Sequence, residues 1–281
     1  MQSFDGKCAV ITGAASGIGK ALAFEAASLG LKLVLVDLSL EMLAPVEKEL
    51  KALGAETLAL GCDVSQFEQV DRMAKATIEH FGKVHLLFNN AGVSSAPKPI
   101  WESSLADWQW VMGVNLWGVI YGVKAFVPQM MAHGEEAHII NTASIAGLIS
   151  NSRLNTYGVT KHAVVALSET LKLDLEEQGV SQVSVSVLCP AWIKTQIHLS
   201  ERNRPTEFKN VGESFDKGTI KAAKHISQAV ESGIEPQEAA KIVFEAIRNR
   251  EFYILTHPPY KKLVRIRAEA ILEGGPLKAL W

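Results

Sequence analysis

The sequence is short of the features that mark several classes of protein. Cysteine is scarce: Cys8, Cys62 and Cys189 are the three in 281 residues, odd in number and far apart. That spacing suits neither a disulfide framework nor a thiolate metal set, and reduced core thiols of a cytoplasmic protein are expected. None of the eight histidines falls in an H-E-x-x-H pattern, and His133 and His138 flank a loop and a strand start, so no metal site is expected. Neither sign of charge is in excess, with 28 basic against 30 acidic residues and a net charge of −2. This gives no ground for a nucleic-acid partner. Lys261, Lys262, Arg265 and Arg267 form one local basic group, read as a solvated helix face. No apolar run reaches the ~18 residues of a membrane span. The opening "MQSFDGK" lacks the pattern of a secretory signal, and "KALW" carries no lipidation cysteine. Internal repeats and low-complexity tracts are missing too.

What the chain does contain is a regular alternation. "KCAVIT" (7–12), "LKLVLVD" (31–37), "ETLALGCD" (56–63), "VHLLFNN" (84–90), "AHIINTAS" (137–144) and "QVSVSVLCP" (182–190) are short, mostly apolar and rich in β-branched residues. Strands covered on both faces have this composition. Helical stretches lie between them, over 17–29, 40–53, 66–81, 106–132 and 156–178. A further helix over 236–248 leads to a seventh strand, "EFYILT" (251–256). Six such alternations predict an α/β fold: one domain built on a doubly wound parallel seven-stranded sheet with helices on both faces. The polar, irregular stretch 191–235 breaks the rhythm after the sixth strand. An insertion of that length is usually functional, so a substrate lid is expected there. Residues 257–281 form a C-terminal extension with helical potential.

"ITGAASGIG" (11–19) closes the first strand and opens the first helix. Gly13, Gly17 and Gly19 let the backbone turn tightly and approach a pyrophosphate, which the helix N-terminus then meets with unpaired N–H groups. A glycine-rich turn alone is a weak signal, because any tight strand-to-helix turn favours glycine. Asp37 ends the second strand. A carboxylate there can accept hydrogen bonds from both adenine-ribose hydroxyls and repels a 2′-phosphate, which favours NAD over NADP. The alternative for Asp37 is an N-cap of the next helix. Asp63, closing the third strand, is placed to meet the adenine, with the same alternative. "NNAG" (89–92) ends the fourth strand, where a doubly wound sheet reverses its strand order and ligands sit.

Tyr157 and Lys161 are four residues apart on a helix and so share a face. By themselves they are either an inconsequential pair or a phenol tuned by a neighbouring cation. Composition alone supplies such a spacing about one time in four. Ser144, at the end of the fifth strand, changes that balance.

The combination of "TGAASGIG", "NNAG", Asn115, Ser144 and the Tyr157/Lys161 pair resembles the short-chain dehydrogenase/reductase family in its single-domain, Rossmann form, over roughly residues 5 to 255. The resemblance implies a dinucleotide held by Gly13, Ser16, Gly17, Ile18, Gly19, Asp37, Asp63, Val64, Asn90, Ala91 and Gly92. Pro190, Ile193 and Thr195 would meet the nicotinamide, although Ala191 stands where the family usually has glycine. It implies that Lys161 bonds the nicotinamide ribose and lowers the Tyr157 pKa, that Ser144 holds the substrate oxygen, and that Asn115 anchors a water leading from Lys161 to solvent. Tyr157 would exchange a proton with an alcohol or ketone while NAD(H) carries the hydride. A homodimer or homotetramer, assembled through the helices over 106–132 and 156–178, is implied as well. The stretches "VNLWGVIYGVKAFVPQMM" and "ESGIEPQEAAKIVFEAI" resemble bacterial members acting on aryl-substituted secondary alcohols.

Ser94, Ser95, Ser144, Ile145, Ala146, Tyr157, Trp192 and the lid are expected to line the substrate pocket, and a bulky hydrophobic, alicyclic or aryl substrate is expected. Trp192 either walls that pocket or packs beneath the lid. Trp101, Trp108, Trp110 and Trp117 are expected in the core or at a subunit contact. The competing function is a dinucleotide-binding sensor or scaffold without turnover, which usually breaks the tyrosine or the lysine. An extended epimerase or dehydratase would need a larger C-terminal domain than the chain after residue 190 provides.

Overall fold

The computed structural model describes residues 1–277, 279 and 280. Strand β1 (Cys8–Thr12) is flanked by β2 (Lys32–Asp37) on one side and β4 (Leu86–Asn89) on the other, all parallel. With β3 (Thr57–Gly61), β5 (Ala137–Thr142), β6 (Val183–Leu188) and β7 (Tyr253–Ile254), the sheet order is β3-β2-β1-β4-β5-β6-β7. The order therefore reverses between β1 and β4, which opens a crevice beyond their C-terminal ends.

Side chains alternate across the sheet. Ala9 and Ile11 of β1 face one core with Leu33, Leu35 and Phe88, while Cys8 and Val10 face another with Val34, Leu87 and Phe126. The first core is closed by α1 (Gly17–Ser28), α2 (Leu40–Ala52) and α8 (Pro236–Asn249), which contribute Leu22, Leu43 and Phe244. The second is closed by α3 (Phe67–Phe81) and α5 (Gly118–Ala132), through Met73, Phe126 and Met130. Fully burying one such side chain is worth about 1.5–3 kcal/mol. This two-sided burial is why the strands read as continuous apolar runs rather than alternating ones.

Two elements differ from the sequence-based expectation. The helix over 106–132 is a rod with a defect: α4 (Leu105–Met112) passes through a π-helical turn (Gly113–Trp117) into α5. Such one-residue expansions gather at functional sites, and this one carries Asn115. The rod, Leu105–Ala132, has a mean hydropathy of 1.3 and is long and apolar enough to cross a bilayer by length and composition. It serves as a flank of the sheet, with Trp110, Val111, Asn115 and Phe126 buried. The seventh strand is only two residues long and sits at the sheet edge beside β6.

The long α6 (Asn155–Glu177) buries a face that includes Thr156, Thr160, Lys161 and Ser168. The stretch 191–235 is folded, with 3-10 turns at Ile197–Asn203 and Thr206–Phe208 and then α7 (Lys217–Glu231). Its two ends close into a neck: Ile193 pairs with Ile234, and the Ile234 N–H donates to Trp192 O at 3.1 Å. In the C-terminal extension, α9 (Lys261–Leu272) buries none of its residues; Lys261, Lys262 and Arg265 are solvated as expected, while Arg267 is half-buried and donates to Leu148 O at 3.4 Å.

Candidate active site

The turn between β1 and α1 depends on missing side chains. Gly13 has φ +70° and Gly17 φ +54°, in the left-handed region. A Cβ on Gly19 would lie 2.0 Å from Gly13 O and 2.7 Å from Asn90 Nδ2, so only glycine lets α1 start against the turn. Ser16 occupies the N-cap position without a side-chain capping bond. Asp37 is not a helix cap, since Ser39 holds that position for α2. Its carboxylate accepts from Ala15 N–H and from Leu38 N–H, both at 2.9 Å, and is fixed at the rim of the crevice. Asp63 is likewise no cap; its Oδ1 accepts from Ser65 N–H at 2.9 Å.

"NNAG" is tied back to β1. Thr12 Oγ1 accepts from Asn90 N–H at 2.9 Å and from Ala91 N–H at 3.0 Å, and Asn90 Nδ2 donates to Thr12 O at 2.9 Å. Thr12 is a structural member of the turn that attention to glycine spacing passes over. Asn115 is fully buried on the π turn. Its Oδ1 accepts from Val93 N–H at 2.8 Å, and its Nδ2 donates to Val93 O at 2.9 Å and to Thr160 Oγ1 at 3.2 Å. Asn115 therefore joins the chain after "NNAG" to α6, one turn below Tyr157.

Tyr157 and Ser144 are hydrogen-bonded, and Ser144 Oγ also accepts from Ala146 N–H at 3.1 Å. Lys161 Nζ donates to Thr142 O at 2.8 Å and lies 5.5 Å from the Tyr157 ring centroid. The expected lowering of the tyrosine pKa is corrected. Burial dominates and holds the Tyr157 phenol above its ordinary value, with the Ser144 hydrogen bond pulling the other way. Burial also pushes the Lys161 ammonium down to about 8. A low-dielectric site penalises phenolate and ammonium alike. The loop before Tyr157 is strained: Arg153 has φ 63° and Asn155 φ 31°, rare for side chains with a Cβ. Asn155 Nδ2 holds it by donating to Ala96 O at 2.7 Å.

A cavity of about 940 Å³ runs along these groups. Gly13, Ser16, Gly17, Ile18, Asp37, Asp63 and Val64 line it toward β2 and β3. Asn90, Ala91 and Gly92 line its middle, and Ser94, Ser95, Ser144, Ile145, Ala146, Tyr157 and Lys161 its far part. Pro190, Trp192, Ile193 and Thr195 complete that wall, which places Trp192 on the pocket surface. Gly19 and Asn115 do not reach the cavity; they shape what does.

Sequence reading missed how the insertion is held. Lys98 Nζ donates to Asp107 Oδ2 at 2.6 Å and to Glu213, and Arg204 donates to Asp107 Oδ1 at 2.7 Å. Lys98 and Arg204 are 5% exposed and Asp107 1%. Burial would raise the Asp107 carboxyl, but the hydrogen bonds from Lys98 and Arg204 outweigh it and hold it down at about 2. Asp107 also completes a capping box with Ser104 at the start of α4, and Arg204 lies 4.9 Å from the Trp110 ring centroid. Trp110 is thus core, Trp108 half-buried and Trp101 exposed. No spacing signals this cluster, because its members are up to 115 residues apart.

Comparison with known proteins accords with the geometry. The short chain dehydrogenase family model matches residues 7–206. A short-chain dehydrogenase/reductase from Burkholderia phymatum, crystallised in complex with NAD, superposes with a TM-score of 0.96 at 47% identity, covering 100% of this chain and 99% of that one. The CLA biosynthesis dehydrogenase/reductase of Lactiplantibacillus plantarum is 33% identical over 98% of this chain and 96% of its own length. The C alpha-dehydrogenase of Sphingobium sp. strain SYK-6 is 32% identical over 98% of this chain and 88% of its own. The chain is an oxidoreductase that belongs to the short-chain dehydrogenase/reductase family.

Proposed function

We propose that this oxidoreductase uses NAD(H) in preference to NADP(H) to interconvert a secondary alcohol and a ketone with a bulky apolar body. The observation that carries the reading is one continuous cavity with Asp37 at one end and the Tyr157, Ser144 and Lys161 side chains at the other. A nicotinamide dinucleotide fits the residues present. The left-handed Gly13 and Gly17 and the Cβ-free approach at Gly19 make a cradle for a pyrophosphate at the α1 N-terminus. Ser16, Ile18, Asp63, Val64, Asn90, Ala91 and Gly92 flank the nucleotide, and Pro190, Ile193 and Thr195 meet the nicotinamide. Asp37 accepts from the adenine-ribose hydroxyls and disfavours a 2′-phosphate, since among the described residues no cation pairs with its carboxylate. When bound, the coenzyme supplies or receives the hydride.

The chain's own residues handle the proton. Ser144 Oγ holds the substrate oxygen beside the Tyr157 hydroxyl. Tyr157 donates a proton to that oxygen in reduction and accepts it in oxidation. Lys161 bonds the nicotinamide ribose. Asn115 fixes Val93 and Thr160 and, in the family pattern, anchors a water beyond Lys161. Ile145, Ala146, Trp192 and the 191–235 lid enclose the apolar body of the substrate, with Ser94 at its edge. Three buried free thiols, with Cys8 and Cys189 held at about 12 by burial, suit a reducing, cytoplasmic compartment. Exposed Trp117 on the π turn and Leu173 on α6 support a homodimer or homotetramer across α5 and α6.

The test is initial-rate consumption of NADH and NADPH over a panel of alicyclic and aryl ketones. Turnover with an NADH preference is expected. Preference for NADPH would remove the role of Asp37. Tight NADH binding with no turnover across the panel would favour the sensor or scaffold reading.

A further inference from the structure

The cavity is charged in opposite senses at its two ends. Its acidic lining is Asp37 and Asp63, both at the β2–β3 end. Beyond Tyr157 the ionisable lining is basic. Arg153 is already engaged, donating to Asp216 and, at 2.9 Å, to Thr219 Oγ1. Arg202 is engaged too, with the carbonyls of Gln196 and Leu199. The Lys221 and His225 side chains are not: among the described residues neither makes a side-chain hydrogen bond or ion pair. They sit one turn apart on α7, on the face that turns Gly218, Ala222 and Ile226 to the cavity. His198, in the same wall, has a buried Nδ1 without a hydrogen-bond partner. Trp110, Trp192 and Phe208 supply apolar lining nearby.

An ammonium and an imidazole, both exposed, lining a cavity that has no carboxylate among its described residues at that end, beside an apolar wall, match an amphiphilic ligand. We infer that the substrate is an alcohol or ketone whose apolar body ends in a carboxylate, held by Lys221 and His225 on α7 while the reacting oxygen lies at Tyr157. This rests on the proposed reaction and narrows its substrate class. The carboxylate stays intact and serves only as the anchor. A Lys221 ammonium and a His225 imidazole could also meet a phosphate group of the coenzyme, so the experiment separates the two anions.

The probe is one ketone skeleton offered as the free carboxylate and as its methyl ester, with NADH, to the wild type, Lys221→Met, Lys221→Arg, His225→Gln and Lys224→Met. Lys224 lies on α7 outside the cavity lining and serves as control. The wild type is expected to favour the acid by about tenfold or more in kcat/KM, the worth of one charge-assisted hydrogen bond. That ratio should collapse toward one in Lys221→Met, shrink in His225→Gln, and survive in Lys221→Arg and Lys224→Met. NADH affinity, read by fluorescence titration, should not move. Equal use of acid and ester by the wild type overturns the inference and leaves the proposed reaction standing. So does a weakened NADH affinity in Lys221→Met with the acid-to-ester ratio intact, which would assign Lys221 to the coenzyme. Absence of turnover with every member of the wider ketone panel would instead remove the reaction itself.

Discussion

The two ends of the cavity are built by different means. The end near β2 is mostly backbone: a turn with glycines at φ +70° and +54°, strand termini in parallel register, and the Asn90 and Ala91 N–H groups tied to the Thr12 hydroxyl. The end near α7 is side chain. The insertion is closed at its neck by Ile193 and Ile234 and fastened to α4 by the buried Lys98, Asp107 and Arg204, with the exposed Glu213 on Lys98. Backbone construction suits a ligand part common to many reactions, because strand ends do not depend on side-chain identity. Side-chain construction lets one region vary without disturbing the sheet, at the cost of burying charges that must all stay paired.

Substitutions sharpen this contrast. The largest effect is expected at the backbone end: Gly19→Ala forces a Cβ onto Gly13 O and should abolish measurable NADH binding, read by fluorescence titration. Retained affinity would mean that the turn yields more easily than its packing indicates. Next is Asp107→Asn, which leaves Lys98 and Arg204 buried without their carboxylate and should cost about 3–5 kcal/mol in urea denaturation. Its pH dependence has a definite sign. The folded-state pKa of Asp107, about 2, lies below the ordinary value, so its contribution is complete above about pH 4 and fades as pH falls toward 2. The stability gap between wild type and Asp107→Asn should narrow over that window. A gap independent of pH would point to packing rather than charge. Smaller again is Asp37→Ala, expected to weaken NADH by roughly tenfold while improving the relative use of NADPH. A variant that keeps the wild-type coenzyme ratio would show that specificity lies elsewhere.

The same contrast explains what was legible in the sequence. The strands were readable because both of their faces are buried, so β1 and β2 stand out as unbroken apolar runs. Gly13, Gly17 and Gly19 were readable because backbone conformation restricts the residue type at those positions. The π turn at Asn115 was not, since one added residue leaves the helical pattern of 105–132 intact. The Lys98–Asp107–Arg204–Glu213 cluster was hidden because charged residues far apart in sequence resemble ordinary surface until the fold joins them. The pairing of Tyr157 with Lys161 was visible, but the direction of its electrostatics was not: spacing gives proximity, while burial, set against the Ser144 hydrogen bond, decides which protonation state of Tyr157 is favoured. Folding of 191–235 was also beyond the sequence pattern, because its neck is a two-residue pairing across the insertion.

The central claim is that the Tyr157 phenol carries the proton. Its direct test is the pH dependence of kcat/KM in both directions, for the wild type and Tyr157→Phe. The phenol is held above its ordinary value before coenzyme binds, so the account predicts that alcohol oxidation, which needs the phenolate, climbs through the alkaline range. Ketone reduction, which needs the protonated phenol, should stay level through pH 8. In Tyr157→Phe both rates should fall by about 10²–10⁴ with NADH affinity retained. Wild-type rates and an unchanged pH profile in Tyr157→Phe would contradict the claim.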